Sequence, residues 1–211
     1  RRLLPPFAGK RVLDLGCGFG WHCRYAAEQG AARVVGLDLS EKMLARARRE
    51  TTDPRIAYVR GAMEDLEAPP GSFDVVLSSL TLHYVEDLEP VFRRIFAALV
   101  PGGDFVFSCE HPVFTAEGAQ EWCRNEAGEN LHWPVDHYFS EGARTAHFLG
   151  CEVVKYHRTL TTYVETLLRT GFALTALVEP RPDPALMDVP GMADELRRPM
   201  MLLVSAKKPQ A

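Results

Sequence analysis

Short apolar runs alternate with amphipathic stretches along the first half of the chain. Each run is bounded by glycine, proline or charged residues and has the length of a strand buried in a parallel sheet. The runs that we predict as strands are Lys10–Gly18, Arg33–Ser40, Ile56–Ala62, Gly71–Leu80 and Asp104–Pro112. Strands that alternate with helical stretches are typical of βαβ units, which place helices on both faces of a parallel sheet.

The amphipathic stretches between these runs predict helices. Ser40 is a good N-cap for a helix over Glu41–Glu50, which has an acidic first turn and arginines in its last turn. Gly20–Gly30 carries helix formers and ends at a glycine, which favours helix termination there. A third helix is predicted over Asp87–Gly103, closed by the sequence Pro-Gly-Gly.

The alternation of strands and helices stops after Pro112. We expect residues 113–157 to form an insertion with two extended segments, Val135–Thr145 and Cys151–Thr159. The insertion is rich in aromatic residues and resembles a lid over a mostly apolar or aromatic small molecule. The alternative is that these aromatic side chains only form the core of the insertion; they are Trp122, Trp133, Tyr138, Phe139 and Tyr156.

The end of the chain returns to the earlier pattern. It predicts a helix over Thr159–Phe172, a strand over Ala173–Pro180, a loop with a helical turn and a last strand over Pro199–Lys208. The whole pattern predicts a single α/β domain over residues 1–211. Its core would be a doubly wound, Rossmann-like sheet of seven mostly parallel strands, with the last strand antiparallel and the insertion after strand five.

Composition narrows the class of protein. The chain has 211 residues, 46% of them hydrophobic, and a formal net charge of −4, which argues against a general nucleic-acid binder. It contains no apolar run of membrane-spanning length. Five scattered cysteines without a Cys-x-x-Cys motif argue against zinc and disulfides, and favour the cytoplasm. Because the sequence opens at Arg1 and enters a strand almost at once, we expect that an N-terminal segment precedes it.

The glycine-rich turn after the first strand predicts a nucleoside site. Asp14 to Gly20 read D-x-G-x-G-x-G, and the third glycine of a dinucleotide fingerprint is replaced by Trp21. A P-loop is absent, and the turn contains no basic residue to meet a pyrophosphate. Asp38 ends the second strand, 18 residues after Gly20, where a carboxylate can accept both hydroxyls of a ribose. The turn therefore favours a nucleoside that lacks a pyrophosphate.

Four segments together resemble the class I S-adenosylmethionine-dependent methyltransferases. They are "VLDLGCGFG", "VVGLDLSEKML", "FDVVLSSLTLHYVED" and "ALVPGGDFVFS", in the order and spacing of that family. The similarity extends from Arg11 to about Lys207 and is closest to the small-molecule, type 11-like group. It implies S-adenosylmethionine as cofactor, S-adenosylhomocysteine as product, and methyl transfer to an O, N or C nucleophile by in-line displacement.

The resemblance also implies roles for individual residues around the methionine part of the cofactor. The backbone of Gly16, Cys17 and Gly18 would pass under it, and Ser78 would contribute backbone nearby. Asp14 would orient the turn and reach the amino group of the cofactor.

The nucleoside part would be held by residues of the next two strand ends. Asp38 would accept from the ribose, and Leu39 and Met43 would pack on the adenine. The family often has an acid that accepts from the adenine amino group, and alignment places it at Ala62, where this chain lacks it. Glu64 is the expected substitute, and the backbone of Met63 would bind an adenine ring nitrogen.

The residues that act on the acceptor are harder to predict. A base is needed only if the nucleophile carries a proton near neutral pH. His83, Glu110 and His111 follow strands four and five and are the catalytic candidates by position. The Asn/Asp-Pro-Pro-Tyr motif of methyltransferases that act on nucleic-acid bases or glutamine is absent after strand four, and no spacing indicates a metal site.

Three other functions remain open from the sequence. The first is a nicotinamide-dependent dehydrogenase, which Trp21 disfavours. The second is a cofactor-binding regulatory protein without turnover. The third is an RNA methyltransferase, which the net charge and the missing motif disfavour. We expect a small-molecule substrate with no nucleic-acid or membrane partner, and the oligomeric state stays open.

Overall fold

The computed structural model of the protein describes residues 3–148 and 150–210. Its strands are β1 (Arg11–Leu15), β2 (Arg33–Asp38), β3 (Ile56–Arg60), β4 (Phe73–Ser79), β5 (Leu99–Glu110), β6 (Cys123–Arg124), β7 (Asn130–His132), β8 (Gly142–Phe148), β9 (Cys151–His157), β10 (Ala173–Val178) and β11 (Met201–Lys207). Its α-helices are α1 (Trp21–Glu28), α2 (Glu41–Arg49), α3 (Leu88–Ala98), α4 (Pro112–Thr115) and α5 (Leu160–Thr170).

Seven of these strands form one sheet in the order β10-β11-β5-β4-β1-β2-β3. The strands β1 to β5 pair in parallel, whereas β11 runs antiparallel to both β5 and β10. The predicted fold class is therefore confirmed, including the antiparallel last strand.

Helices cover both faces of this sheet. The helices α1 and α2 bury Cys23, Ala26, Ala27 and Leu44 against one face, together with Val12 and Val34. The helices α3 and α5 bury larger side chains on the other face, among them Phe92, Ile95, Tyr163 and Leu167. The inner strands β1, β2, β4, β5 and β11 are sandwiched between the helices, which explains why they read as apolar runs, whereas the edge strands β3 and β10 are largely exposed.

Two helix ends lie where the sequence predicts them, at the start of α2 and at the end of α5. The Ser40 side chain accepts a hydrogen bond from the Met43 backbone N–H and caps α2. Gly171 ends α5 with a φ of 105°, a left-handed conformation that suits glycine.

The boundary between α3 and β5 differs from the prediction. The third helix was expected to reach Gly103, but it ends at Ala98, and β5 begins at Leu99 rather than at Asp104. Pro101 disfavours helical geometry at the residue before it, because its ring collides with the preceding backbone. The chain therefore turns extended ahead of the Pro-Gly-Gly sequence, not after it.

The residues between β5 and α5 form two small two-stranded sheets outside the main one, β6-β7 and β8-β9. The segment predicted as extended from Val135 becomes a strand only at Gly142. The residues before it form a bend in which His137 adopts a φ of 54°. The pair β6-β7 was not predicted, since strands of two and three residues leave no periodic signal.

An arginine joins this insertion to the segment before β11. The guanidinium of Arg198 lies 4.2 Å from the ring centre of Trp133, 4.8 Å from that of Phe114 and 5.3 Å from that of Trp122. Its terminal nitrogens donate to the two carboxylate oxygens of Glu195. Arg198 and the aromatic rings of the insertion thus form a cation–π cluster. This cluster connects the insertion to the segment just before the last strand. Among the described residues, no helix combines the length and apolarity needed to cross a membrane.

Candidate functional site

A cleft of about 610 Å³ lies at the carboxyl edge of the parallel strands. The strand order reverses between β1 and β4, and in an open α/β sheet such a point leaves a crevice for ligands. Because β11 runs antiparallel, its first residues lie at this same edge, and Met201 pairs with Glu110. One end of the cleft is formed by the ends of β2 and β3, which we call the nucleoside end. The other is formed by the segments after β4 and β5 and by the start of β11, which we call the acceptor end.

The glycine-rich turn forms the floor of the cleft. Gly16 and Gly18 have φ values of 68° and 54°, which glycine adopts without strain. A Cβ atom on Gly16 would lie 2.2 Å from Cγ2 of Thr81, whereas one on Gly18 would meet nothing within 4 Å. Gly16 therefore lets the turn approach the segment after β4, and Gly18 leaves the cleft open for a ligand.

Asp38 fixes the turn against the end of β2. Its Oδ2 accepts from the Gly18 backbone N–H and its Oδ1 accepts from the Ser40 backbone N–H, both at 2.8 Å. An ionised carboxylate has about four lone-pair sites, so each oxygen can accept one more hydrogen bond. The carboxylate is thus pre-oriented at the cleft and can accept from the two hydroxyls of a ribose.

Apolar side chains face the nucleoside end without being buried. Leu39 is 65% exposed and Met43 is 43% exposed, although both line the cleft. Ala62, Met63 and Glu64, which follow β3, also line the cleft. The exposed apolar side chains of Leu39 and Met43 are suited to pack against a flat ring in the cleft.

Three of the residues expected at the cofactor are not among those that line the cleft. Asp14, Cys17 and Ser78 are buried, with exposed fractions of 1%, 7% and 1%. Ser78 Oγ lies 2.6 Å from Thr81 Oγ1, so it supports the wall of the cleft. Any contribution from Cys17 or Ser78 would come from the backbone, as expected from the resemblance.

Asp14 lies beneath the turn in an apolar setting. Its Oδ2 accepts from the Cys23 thiol at 3.3 Å, and its Oδ1 is buried without a hydrogen-bond partner among the described residues. Burial raises the pKa of Asp14 to about 7; the Cys23 hydrogen bond opposes this rise and the nearby Asp38 charge adds to it. The carboxyl group is therefore poised to change charge near neutral pH, next to a site expected to take a cation.

His83 lies at the acceptor end and is 2% exposed. Its Nδ1 accepts from the Glu110 backbone N–H at 3.3 Å. Burial lowers the pKa of His83 to about 4, against a smaller opposite effect of Glu110. The ring is therefore neutral at pH 7, and since Nδ1 is the acceptor, Nε2 carries the proton.

Glu110 is held from behind the acceptor end by two residues of the insertion. Its Oε1 accepts from Lys155 Nζ at 2.6 Å, and its Oε2 accepts from Gln120 Nε2 at 2.8 Å. Lys155 also donates to Gln120 Oε1 at 3.1 Å, which closes the network. The Lys155 side chain is 2% exposed and that of Glu110 is 12% exposed. The ion pair is thus largely removed from water and links β9 to the end of β5.

His111 lies outside the cleft lining. It is buried at the start of α4, where its Nδ1 accepts from the Val113 backbone N–H at 3.0 Å. Its Nε2 lies 2.8 Å from Glu179 Oε1, and burial lowers its pKa even though Glu179 acts in the opposite direction. This environment fits a residue that fixes the exit of β5.

The sequence reasoning missed several residues that line the cleft: Ser40, Gly61, Leu80, Thr81, Tyr84, Val85, Met200 and Met201. The two methionines could have been found, because the start of an antiparallel last strand must meet the carboxyl ends of its neighbours. Leu80 has a φ of 56°, which a leucine rarely adopts and which the sequence does not reveal. Lys155 and Gln120 left no sequence signal either.

Comparisons with known proteins agree with this geometry. A family model described as "Methyltransferase domain" matches residues 13–107. The crystal structure of an S-adenosylmethionine-dependent methyltransferase from Mesorhizobium loti is 50% identical, with a TM-score of 0.91 and coverage of 98% of this chain and 94% of that chain. A candidate methyltransferase of the same kind from Listeria monocytogenes is 55% identical, with a TM-score of 0.95 and coverage of 99% and 94%. An uncharacterised protein of Haemophilus influenzae is 34% identical over 98% of this chain and 84% of its own length.

The fold, the glycine-rich turn and the cleft define an enzyme that transfers a methyl group from S-adenosylmethionine. The chain belongs to the class I S-adenosylmethionine-dependent methyltransferases, in the type 11 group. The cleft fits this cofactor, since Gly18 leaves open space, Asp38 offers two oriented oxygens, and Leu39 and Met43 present apolar surface. Family membership sets aside the nicotinamide dehydrogenase and the regulatory protein without turnover.

Proposed function

We propose that this methyltransferase acts on a small-molecule acceptor, bound at the acceptor end of the cleft. The observation that carries the proposal is the charge of the cleft wall. Among the described residues that line it, three are acidic (Asp38, Glu64 and Glu110) and none is lysine or arginine. RNA and phosphorylated acceptors are bound mainly through cationic side chains on their phosphates, and this wall offers none.

The cofactor residues take the roles that the resemblance implies. Gly16, Cys17 and Gly18 hold the methionine part through the backbone, with Asp14 beneath them and Ser78 beside them. Asp38 binds the ribose, and the adenine lies among Leu39, Met43, Ala62, Met63 and Glu64. When bound, the cofactor supplies an electrophilic methyl group. The task of the protein is then to align the acceptor with it in a dry cleft.

Two of the three catalytic candidates line the cleft, and the third does not. His83 and Glu110 line the acceptor end, and they are the residues that we propose to contact the acceptor. For His111 we propose a supporting role only, because it is buried against Glu179 outside the cleft.

We also propose that residues 1–211 act as one domain, with residues 113–157 as the lid. Lys155 reaches Glu110 from β9, and Arg158, the first residue after the insertion, donates to the backbone oxygens of Glu86 and of Val85, which lines the cleft. A shift of the insertion would therefore move the wall at the acceptor end. A cytoplasmic location remains an expectation, based on five scattered cysteines without a Cys-x-x-Cys motif.

The test follows a labelled methyl group into a cell extract. The protein is incubated with S-adenosylmethionine, tritiated in the methyl group, and an extract that is then separated into small metabolites, RNA and protein. We expect the label among the small metabolites, and no label there with Asp38→Ala. Label recovered in RNA instead would overturn the proposal in favour of the RNA methyltransferase.

A further inference from the structure

A second, smaller hollow of about 240 Å³ lies beside the acceptor end of the cleft. It is formed by the carboxyl-terminal parts of β4 and β5, the first residues of β11 and the first turn of α1. Leu80 and Met201 line both the hollow and the cleft, so the two spaces adjoin at these two side chains. The hollow is therefore an extension of the acceptor end rather than of the nucleoside end.

The lining of the hollow is apolar and uncharged. Eight of the twelve residues that line it are leucine, valine, phenylalanine or methionine, and none of these described residues is acidic, lysine or arginine. The serine hydroxyls of the lining are already paired: Ser78 Oγ lies 2.6 Å from Thr81 Oγ1, and Ser79 Oγ lies 3.2 Å from Ser108 Oγ. A charged group that entered would exchange water for apolar surface without gaining a charged partner, so the hollow favours uncharged groups.

His22 adds one polar side chain to this lining. Burial lowers the pKa of its imidazole below the ordinary value, so the ring is neutral at pH 7. A neutral imidazole has one N–H donor and one acceptor nitrogen. Sites for small molecules typically combine an apolar lining with a few polar groups that fix the orientation of the ligand. The hollow has this composition, with His22 as its polar group.

Leu80 is strained at the boundary between the hollow and the cleft. Its φ of 56° is a left-handed conformation that glycine adopts freely and leucine does not. Its backbone N–H donates to the Ser108 oxygen at 2.8 Å, which holds the residue against β5. Strained residues concentrate at sites that bind ligands. Here the strained backbone places an apolar side chain, 39% exposed, where it faces both spaces.

We infer that the hollow is an acceptor subsite, which binds an uncharged apolar group of the acceptor while its nucleophile lies at the acceptor end of the cleft. The inference rests on the proposed function and narrows its substrate class; it applies equally to oxygen, nitrogen and carbon nucleophiles. An apolar cavity of about 150 Å³ holds benzene, so the hollow has room for a substituted aromatic ring. Leu80 and Met201 contact both parts of such a molecule, and the flexible methionine adapts to its shape.

The first test compares a neutral aromatic probe with a charged one of similar size. The probes are 4-fluorotoluene and 4-fluorobenzoate, titrated by fluorine NMR against the full chain saturated with S-adenosylhomocysteine, so that the nucleoside end is occupied. We expect saturable binding of 4-fluorotoluene, at least about tenfold tighter than that of 4-fluorobenzoate, because the carboxylate would lose hydration at an apolar wall. Equal affinities, or no saturable binding of 4-fluorotoluene, would overturn the inference.

A variant that fills the hollow locates the bound probe. Leu203 is half-buried and lines the hollow but not the cleft, so Leu203→Trp takes the space of the ligand away from the cofactor. Leu177→Trp is the matched control, on the neighbouring strand β10 and outside both linings. We expect only Leu203→Trp to weaken 4-fluorotoluene binding, by at least about tenfold, with unchanged affinity for S-adenosylhomocysteine. Ser108→Leu fills the hollow from β5 and serves where Leu203→Trp fails to fold. Probe binding that survives the filling would also overturn the inference.

The labelled product distinguishes this inference from the proposed function. The extract experiment is repeated at saturating S-adenosylmethionine with both tryptophan variants. Label in a small metabolite that falls at least about tenfold in Leu203→Trp, but not in Leu177→Trp, supports both. Label in a small metabolite that Leu203→Trp does not reduce overturns the subsite and leaves the proposed function standing. Label in RNA overturns the proposed function and, with it, the subsite.

Discussion

At the scale of single residues, Asp14 is a carboxyl group buried in an apolar setting, where its ionised form is unfavourable. The carboxyl group is 1% exposed, and one of its oxygens has no hydrogen-bond partner among the described residues. A protein that retains such a group loses stability whenever the group is ionised. The cost is understandable if a cationic ligand above the turn offsets it, since the positive charge would favour the ionised form.

Asp14 therefore makes the stability of the free protein depend on pH. Its pKa is raised from 3.8 to about 7 in the folded state, so the folded state holds a proton that the unfolded state has lost. The contribution of Asp14 to the unfolding free energy is then largest below pH 4, and it falls as the pH rises to about 7. Relative to Asp14→Asn, the wild type should lose roughly 4 kcal/mol over that interval, at about 1.4 kcal/mol per pKa unit.

Urea unfolding of both proteins from pH 4 to pH 8 measures this effect. All other titrating groups are shared, so their contributions cancel in the difference between the two. The buried amide that the substitution introduces adds a constant offset, which is why the slope is the readout. A difference in unfolding free energy that does not change with pH would contradict the raised pKa of Asp14.

At the scale of elements, the cleft depends on how closely the β1–α1 turn approaches the segment after β4. Gly16 faces Thr81 at a distance that leaves no room for a side chain, whereas Gly18 faces open space. The two glycines have similar φ values, 68° and 54°. The same substitution at both positions therefore costs a similar backbone strain, about 1–2 kcal/mol, but only one of them produces a clash.

Gly16→Ala and Gly18→Ala should consequently have different effects. We expect Gly16→Ala to lower the melting temperature more, because its Cβ would lie 2.2 Å from the Thr81 methyl group. Gly18→Ala should mainly weaken binding of S-adenosylhomocysteine, since its Cβ enters the space of the ligand. Thermal unfolding and calorimetry on both variants separate the two effects, and an equal loss of melting temperature would argue against the clash.

The sequence predicted these elements better than their ends. The apolar runs of β1, β2 and β4 are long and unambiguous, and Ser40 and Gly171 mark helix ends through side-chain and backbone chemistry that is local. The start of β5 was misjudged, because the influence of Pro101 on the preceding residues competes with helix-forming residues on the same stretch. Strands as short as β6 and β7 are held by tertiary contacts, so the local sequence carries little information about them.

At the scale of the whole molecule, the lining of the nucleoside end could be predicted more fully than that of the acceptor end, where the sequence indicated only His83 and Glu110. The turn and Asp38 lie on consecutive βα units, and parallel strands bring their ends to one edge. The acceptor end combines β4, β5, the start of β11 and, behind them, Lys155 and Gln120 from the insertion. These elements are far apart from one another in the chain. Only the three-dimensional structure reveals that His83 must carry its proton on Nε2 and that Glu110 is already paired.

Ligand binding at the nucleoside end should stabilise the whole fold. A ligand that binds only the folded state at about 100 times its Kd adds about 2.7 kcal/mol to the unfolding free energy. For a chain of this size that corresponds to a rise in melting temperature of about 5–10 °C. We expect this rise with S-adenosylhomocysteine and none with NAD, measured by circular dichroism.

Asp38→Ala should abolish that rise at the same ligand concentration, because it removes the carboxylate that we propose to accept from the ribose and that also accepts from the Gly18 N–H. The matched control is Asp53→Ala, which removes a carboxylate paired with Arg55 ahead of β3, at the opposite edge of the sheet. That variant should keep the full rise, whatever its own melting temperature. An undiminished rise in Asp38→Ala would mean that the ribose is held by other groups, and the position of the nucleoside in the cleft would have to be revised.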